Sequence, residues 1–250
     1  MQKGTSLYVY GFGLIMTVVV ALALAGFKTG TAEIAARNAD IFNKREILAT
    51  VAKPLAAAGQ DPAGLTDEQV GQIFEQQFES FVVNSAGEVM EGVTVDQIDL
   101  AAEKKKPEAQ RLYPVNVFNL DGEQYYIFSV RGNGLWDAIW GNIALEGDLN
   151  TVAGASFDHA GETPGLGAEI KDNASWKAQF EGKQIYDNGE FVSIIVRKGG
   201  AVDMDHEVDG LSGATVTADG VTKMLWEGLK AYQPFIEEQR QEAGVSMNSK

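Results

Sequence analysis

Residues 112–130 have the sequence LYPVNVFNL, DG and EQYYIFSV in succession. The runs Leu112–Leu120 and Glu123–Val130 are rich in β-branched and aromatic residues, which favour strands. An Asp-Gly pair between two such runs is a strong signal for a β-hairpin. Residues 151–157 and 191–197 have the same β-rich character. The sequence therefore predicts a largely antiparallel sheet in this part of the chain.

Helical patterns lie on both sides of these runs. Apolar residues recur at three- and four-residue spacing over 31–58 and 221–236, and residues 173–180 suit a short helix. Thr66–Gln69 (TDEQ) has the capping-box pattern and predicts a further helix whose apolar face includes Phe78. Since helices and strands do not alternate regularly, the expected fold class is α+β, with a mostly antiparallel sheet flanked by helices.

The N-terminal segment carries no charge over the 24 residues from Gly4 to Phe27. As an α-helix this stretch is roughly 36 Å long, which is enough to cross a bilayer, so we expect an N-terminal transmembrane helix. A cleaved signal peptide, suggested by Ala21-Leu22-Ala23, and a helix buried in a soluble protein are the alternatives. Lys and Arg are more frequent after the segment than before it, and the positive-inside rule would therefore leave the following chain in the cytoplasm.

The composition excludes several classes of function. The 250 residues carry a formal net charge of −15, which argues against nucleic-acid binding because that role needs a basic surface. The chain has no Cys, which excludes disulfides, Cys-ligated zinc, iron–sulfur clusters held by this chain alone and thiol nucleophiles. Two His are too few for a His-rich metal site, so no metal site is predicted. Hydrolase chemistry, an organic cofactor and plain binding stay open.

Three short segments combine Gly with polar or aromatic residues: Gly132–Trp136 (GNGLW), Gly161–Glu169 (GETPGLGAE) and Asp209–Thr217 (DGLSGATVT). Gly lets backbone N–H groups approach a ligand closely, although a single segment of this kind is typically a turn. None of the three matches the dinucleotide fingerprint, the P-loop or the nucleophile elbow. The third segment leads into the helix over 221–236. Thr215 or Thr217 therefore either caps that helix or lies where its N-terminus holds a phosphate.

Asp209-Gly210-Leu211-Ser212-Gly213-Ala214-Thr215 resembles the flavinylation motif of FMN-binding domains in sodium-translocating NADH:quinone reductases and the related Rnf electron-transfer complexes. Glu162–Gly167 and Gly134–Trp136 also match that family, and the likeness extends from about residue 113 to residue 235. The long segment between the anchor and the hairpin is similar to the C subunits of the sodium pumps rather than to their shorter Rnf counterparts. The chain is therefore identified as a member of the C-subunit family.

The resemblance implies a covalent cofactor. In this family FMN is joined through a phosphoester bond to the final Thr of the motif, which is Thr215 here. By the same likeness nine further residues would contact the flavin: Leu135 and Trp136 at the ring, Glu162, Thr163, Leu166 and Gly167 in a loop against it, and Ser212, Gly213 and Ala214 along the phosphate and ribityl chain. From the residues alone, Trp136 fits an ordinary core position equally well, and Glu162 fits a turn.

The resemblance also implies partners and a location. The chain would relay electrons as one subunit of a sodium-translocating NADH:ubiquinone oxidoreductase, without being catalytic alone. Its partners would be the other membrane subunits, membrane lipid and a flavin transferase that uses FAD and a divalent metal. In the family the soluble domain lies on the periplasmic side of the bacterial inner membrane, against the local count of Lys and Arg.

We therefore expect four regions: an anchor over 1–28, a helical membrane-proximal region over 29–110, an α+β FMN-binding domain over 111–238 and a flexible tail over 239–250. Two alternatives stay open for the function. One is the FMN-binding subunit of an Rnf-type ferredoxin:NAD complex. The other is a non-redox anchored assembly module in which the Gly-rich segments are only turns. An anchored hydrolase is disfavoured because no Ser–His–Asp ordering is recognisable.

Overall fold

The computed structural model of the protein describes residues 3–242 and residue 244. The chain divides into two units, residues 1–43 and residues 44–250. Within the described residues one helix is long and apolar enough to cross a membrane, and it covers Leu7–Ala49 of α1 (Lys3–Ala49). No residue in the most apolar part of that helix is buried, so the alternative of a helix buried in a soluble core is wrong.

The sequence predicts the anchor and the helix over 31–58 as separate elements. The structure joins the anchor to the first part of that helix in α1, which ends at Ala49, and the last part of it is α2 (Ala52–Ala57). The helix α1 continues through Gly30, and Thr29 and Thr31 donate their hydroxyl protons to the carbonyl oxygens of Ala25 and Phe27, four residues earlier. A hydroxyl bonded in this way stays within the helical ladder, so the polar residues after Phe27 do not end the helix.

The other elements belong to the second unit. Six helices follow α1: α2 (Ala52–Ala57), α3 (Asp67–Gln77), α4 (Leu100–Glu103), α5 (Glu169–Asp172), α6 (Ala174–Ala178) and α7 (Thr215–Glu242). The strands are β1 (Phe78–Asn84), β2 (Leu112–Leu120), β3 (Glu123–Asn133), β4 (Ala138–Leu145), β5 (Val152–His159), β6 (Tyr186–Asp187), β7 (Glu190–Phe191), β8 (Ile195–Arg197) and β9 (Glu207–Asp209).

The main sheet has five antiparallel strands in the order β1-β2-β3-β4-β5, so every strand pairs with its neighbour in sequence. The predicted hairpin forms between β2 and β3, where Leu120 pairs with Glu123 across Asp121 and Gly122. Both turn residues have positive φ, 51° and 90°, as the tight two-residue turn requires. The predicted α+β class with a mostly antiparallel sheet is confirmed.

Helices cover both faces of this sheet because the strands alternate apolar residues to the two sides. On one face Val117, Phe128 and Ile143 belong to a core that also contains the buried side of α7 and residues of α5 and α6. On the other face Phe118 and Ile127 pack with the end of α1 and with α2 and α3. The result is three layers, in which the sheet lies between two sets of helices.

Two strand predictions need correction. Phe78 does not lie on the face of a helix, because α3 ends at Gln77 and Phe78 begins β1. Its ring still stacks on Phe74 at 4.1 Å, so it meets the predicted apolar neighbour from a strand. The predicted strand over 191–197 is interrupted, since Ser193 has a φ of 61° and separates β7 from β8.

The last helix is longer than the sequence predicted. It begins at Thr215 rather than Val221 and continues to Glu242. The first two turns consist mainly of small and polar residues, so they lack the apolar periodicity on which the prediction rested. Residues 239–242 of the expected flexible tail are helical, and residues 243 and 245–250 lie outside the described residues.

Tyr232 joins α7 to the sheet. Its side chain is buried, and its hydroxyl lies 3.0 Å from the carbonyl oxygen of Pro114 on β2 and 2.9 Å from that of Ser129 on β3. We expect Tyr232→Phe to lower the free energy of unfolding by about 1–3 kcal/mol, because buried carbonyl oxygens lose a donor. Denaturant unfolding measures this loss.

Tyr126→Phe is the matched control for that measurement. The Tyr126 hydroxyl bonds only the exposed side chain of Gln124, at 3.2 Å, and its removal should change the unfolding free energy by less than about 0.5 kcal/mol. Equal losses in the two variants would contradict the role given to the Tyr232 hydroxyl.

Candidate functional site

The three Gly-rich segments of the sequence meet at one end of the sheet. The first forms the turn between β3 and β4, the second is the loop that follows β5, and the third enters α7. Close approach at two glycines shows how tightly they meet. A Cβ on Gly134 would lie 2.5 Å from Oε1 of Glu162, and a Cβ on Gly167 would overlap its Oε2. Only Gly leaves room for the Glu162 side chain between the segments.

Glu162 is the residue that joins the three segments. Its side chain is buried, with 4% of the residue exposed. Oε1 accepts a hydrogen bond from the backbone N–H of Trp136 at 2.9 Å, and Oε2 accepts one from the hydroxyl of Thr217 at 2.7 Å. One carboxylate therefore holds the β3–β4 turn and the first turn of α7 in fixed positions relative to the loop.

The surroundings of Glu162 keep it ionised. Burial by itself would raise the pKa of the carboxyl group. Hydrogen bonds from the Thr217 hydroxyl and from the N–H groups of Trp136 and Asp137 outweigh burial, and together with His159 they hold the pKa below its ordinary value. The site therefore contains a buried negative charge at neutral pH.

His159 orients the loop that carries Glu162. Its Nδ1 lies 3.1 Å from the backbone nitrogen of Glu162 and accepts that N–H. In the neutral ring this arrangement leaves the proton on Nε2. His159 is not among the residues predicted for the site, because its position at the end of β5, next to the loop, depends on the strand pairing.

The two threonines of the third segment have different environments. Thr215 is the first residue of α7 and is half-buried, whereas Thr217 is buried and bonded to Glu162. Both lie inside the helix, so the prediction that one of them caps it is wrong. The hydroxyl of Thr217 is engaged as a donor to a carboxylate, which leaves Thr215 as the more accessible hydroxyl of the pair.

Large apolar side chains are exposed around Thr215. Trp136 is 69% exposed and Leu135 is 52% exposed in the β3–β4 turn, so the interpretation of Trp136 as ordinary core is wrong. Leu166 in the second segment and Val216 in α7 are also exposed. A surface that gathers exposed Trp, Leu and Val is typical of a ligand or partner site.

The remaining predicted residues lie on the same loops. Ser212 and Gly213 are exposed just before α7, and Ala214 is buried. Thr163 is exposed, and its carbonyl oxygen accepts the N–H groups of Leu166 and Ala168, both at 3.1 Å, which shapes the second segment as a turn. The structure thus brings all ten predicted residues to one end of the sheet, with Glu162 inside the wall and most of the others on its surface.

These features fit a flavin nucleotide. Exposed apolar side chains suit a flat aromatic ring, and a helix N-terminus suits a phosphate group. A Cβ on Gly213 would lie 2.7 Å from Cδ2 of Leu166, so the backbone of the third segment passes directly beside the apolar surface. Among residues 3–242 and 244, no group of three or more His, Cys, Asp or Glu side chains could hold a metal ion.

Comparison with known proteins agrees with this site. The model of the FMN-binding domain family matches residues 134–230, a span that contains all ten predicted residues. The chain is 35% identical to the C subunit of the Na(+)-translocating NADH-quinone reductase of Vibrio vulnificus, and the match covers 94% of each chain. The chain belongs to the C-subunit family of Na(+)-translocating NADH-quinone reductases.

Other members of the C-subunit family are similar over comparable lengths. The C subunit of the Pseudomonas aeruginosa reductase is 33% identical over 89% of this chain and 93% of its own. The crystal structure of the C subunit from Parabacteroides distasonis superposes with a TM-score of 0.70 at 35% identity, covering 81% of this chain and 95% of that one. The family prediction made from the sequence motif is confirmed.

Gly167 tests the packing around Glu162. In Gly167→Ala the new methyl group would overlap Oε2 of Glu162 and lie 2.8 Å from the Thr217 hydroxyl oxygen. We expect a loss of about 1–3 kcal/mol in the free energy of unfolding, since overpacking must displace a buried carboxylate from its donors. Gly161→Ala is the control, because its Cβ would meet only Asp137 Cβ at 3.8 Å. Equal stability of the two variants would show that the contact is not tight.

Proposed function

We propose that this chain is the FMN-carrying, electron-relaying subunit of a sodium-translocating NADH:ubiquinone oxidoreductase, with FMN attached to Thr215 through a phosphoester bond. The observation that carries the proposal is Thr215, a half-buried residue at the start of α7, at the end of the sheet where Leu135, Trp136 and Leu166 are exposed. Membership of the C-subunit family and the FMN-binding domain match support it.

The residues of the chain have distinct tasks in this proposal. The N–H groups and dipole at the start of α7 favour the negative phosphate, and Ser212, Gly213 and Ala214 line the approach to it. Leu135, Trp136, Thr163, Leu166 and Gly167 form the surface for the ring. When bound, FMN supplies reversible electron transfer, while the protein supplies attachment, orientation and electrostatics.

Attachment requires only a free hydroxyl from this chain. A flavin transferase, acting with a divalent metal, brings FAD to the site, and the Thr215 oxygen attacks the phosphorus of the FMN half. The new Thr215 O–P bond replaces the bond to AMP, which leaves, and the hydroxyl proton passes to a base of the transferase. A covalent bond keeps the cofactor on the protein without a deep binding pocket.

The proposal includes the remaining membrane subunits and lipid as partners. The exposed apolar helix α1 serves as the anchor in the bacterial inner membrane, and the second unit lies on the periplasmic side. A periplasmic location fits a covalent cofactor, since flavin that was lost there would not be replaced from the cytoplasm.

The first test of the proposal is the mass of the intact protein after co-expression with a flavin transferase. We expect the wild-type chain to gain the mass of FMN minus water, and Thr215→Ala to show no gain because the acceptor oxygen is absent. Thr215→Ser keeps a hydroxyl at the same position and should still be loaded. An unmodified wild-type chain under these conditions would contradict covalent attachment.

Topology is tested separately with the full-length chain. Alkaline phosphatase fused after Lys250 folds only outside the cytoplasm, and we expect it to be active. A fluorescent protein that matures only in the cytoplasm should be dark in the matching fusion. The reverse pair of results would place the second unit in the cytoplasm, as the local Lys and Arg count suggests.

A further inference from the structure

We propose that Glu162 is a positioning residue whose buried negative charge lowers the reduction potential of a flavin attached at Thr215. This inference rests on the proposed function, and it assigns to Glu162 a role other than direct contact with the ring. The side chain is buried inside the wall of the site and holds the segments that carry Trp136 and Thr215.

The hydrogen bonds to the Glu162 carboxylate come from neutral groups. Its hydrogen-bond donors are the N–H groups of Trp136 and Asp137 and the hydroxyl of Thr217, none of which carries a formal charge. The neighbouring His159 lowers the pKa of Glu162 electrostatically, but its Nδ1 bonds the backbone N–H of Glu162 and not the carboxylate. Within the described residues, no Lys or Arg forms an ion pair with the carboxylate.

A second buried carboxylate in the same unit shows the contrast. Glu207 is 5% exposed and accepts the N–H groups of Val202 and Asp203, at 2.8 and 3.0 Å, in the same manner. Glu207 also forms an ion pair with Arg197, which cancels its charge. Burying a charge costs free energy unless a partner offsets it, so an ion-paired arrangement is the ordinary solution. Glu162, at the proposed cofactor site, is held by hydrogen bonds from neutral groups and not by an ion pair with Arg or Lys.

The position of Glu162 couples it to that site. Oε1 is bonded to the backbone of Trp136, whose ring is exposed there, and Oε2 is bonded to Thr217, two residues after the attachment point. A charge inside a protein wall acts more strongly on its neighbours than one in water, because the surroundings are less polarisable.

Charge balance gives the direction of the effect. Two electrons and one proton convert the oxidised ring into a reduced ring with one additional negative charge. The electrons come from a reduced centre of a partner subunit, which is oxidised in the same step. A fixed anion in the wall of the site would disfavour the added negative charge, so it would lower the potential at which the flavin is reduced.

The deciding variant is Glu162→Gln, which has nearly the same shape and no charge. Its amide oxygen accepts the Trp136 N–H and its NH2 group donates to the Thr217 oxygen. In the FMN-loaded full-length protein we expect the midpoint potential at pH 8 to rise by at least the equivalent of a tenfold change in the reduced-to-oxidised ratio, which is about 30 mV for two electrons. A potential equal to or below that of the wild type would overturn the proposal.

Thr217→Val is the matched control and the second test. It removes one hydrogen bond and keeps the carboxylate, so its potential at pH 8 should equal that of the wild type. Glu162→Gln removes the charge and keeps the shape, whereas Thr217→Val keeps the charge and removes one of the bonds that hold it. A potential raised as much in Thr217→Val as in Glu162→Gln would show that geometry and not charge sets the potential, and would overturn the proposal.

The elements around Glu162 carry further ionisable groups: Asp137, Asp158, His159, Glu169, Lys171, Asp209 and Asp219. All of them are present in the wild type and in both variants, so a difference in potential measured at one pH is assigned to the change at Glu162 or Thr217.

Apoprotein unfolding provides a readout that needs no cofactor. Because the pKa of Glu162 is lower in the folded state, the group adds stability above the ordinary carboxyl pKa, and this stability is lost as the pH falls through the folded pKa. The difference in unfolding free energy between wild type and Glu162→Gln should therefore shrink as the pH falls from 7 to 3. A constant difference would overturn the claim that Glu162 is charged. Absence of FMN on the wild type would instead contradict the proposed function.

Discussion

The hydrogen bonds of one buried carboxylate determine how this site is built. Glu162 is 26 residues from Trp136 and 55 residues from Thr217, yet it binds both. Because its oxygens fill the space between the segments, Gly134 and Gly167 have no room for a side chain. The turn, the loop and the helix start are therefore positioned by one group. The side chain of Trp136 is exposed, while its backbone N–H is held by the buried carboxylate of Glu162.

The helix α7 connects the residues held by Glu162 to the centre of the sheet. Its first turn is held by Glu162, and more than three turns later Tyr232 is bonded to two strands of the sheet. Between these points Met224, Leu225 and Leu229 are buried against the sheet. The position of Thr215 is thus set by contacts at both ends of a long helix, and the hydrophobic core of the domain determines where the proposed attachment point lies.

Local chemistry in the sequence predicted the parts of this fold that depend on neighbouring residues. Asp121-Gly122 identified the hairpin, and Thr66 with Gln69 identified the start of α3. Turns and helix caps can be predicted in this way because a few consecutive residues determine them. The beginning of α7 at Thr215 was missed, since its first turns carry no apolar stripe. Thr217 and His159 were missed as members of the site for another reason. Their contacts join residues that only the folded sheet brings together, and the motif resemblance identified Glu162 without revealing what it binds.

The order of elements along the chain has a consequence for biosynthesis. All five strands of the main sheet precede α7, the last element among the described residues. Each strand pairs with its neighbour in sequence, so the sheet can assemble from local contacts as the chain emerges. Until α7 has been made, the sheet face that α7 covers is protected only in part, by α5 and α6. A chain cut short before residue 215 therefore lacks both the cover of its core and the hydroxyl at the start of α7. Completion of the core and presentation of that hydroxyl depend on the same segment of the chain, so a truncated product would expose apolar surface to proteases.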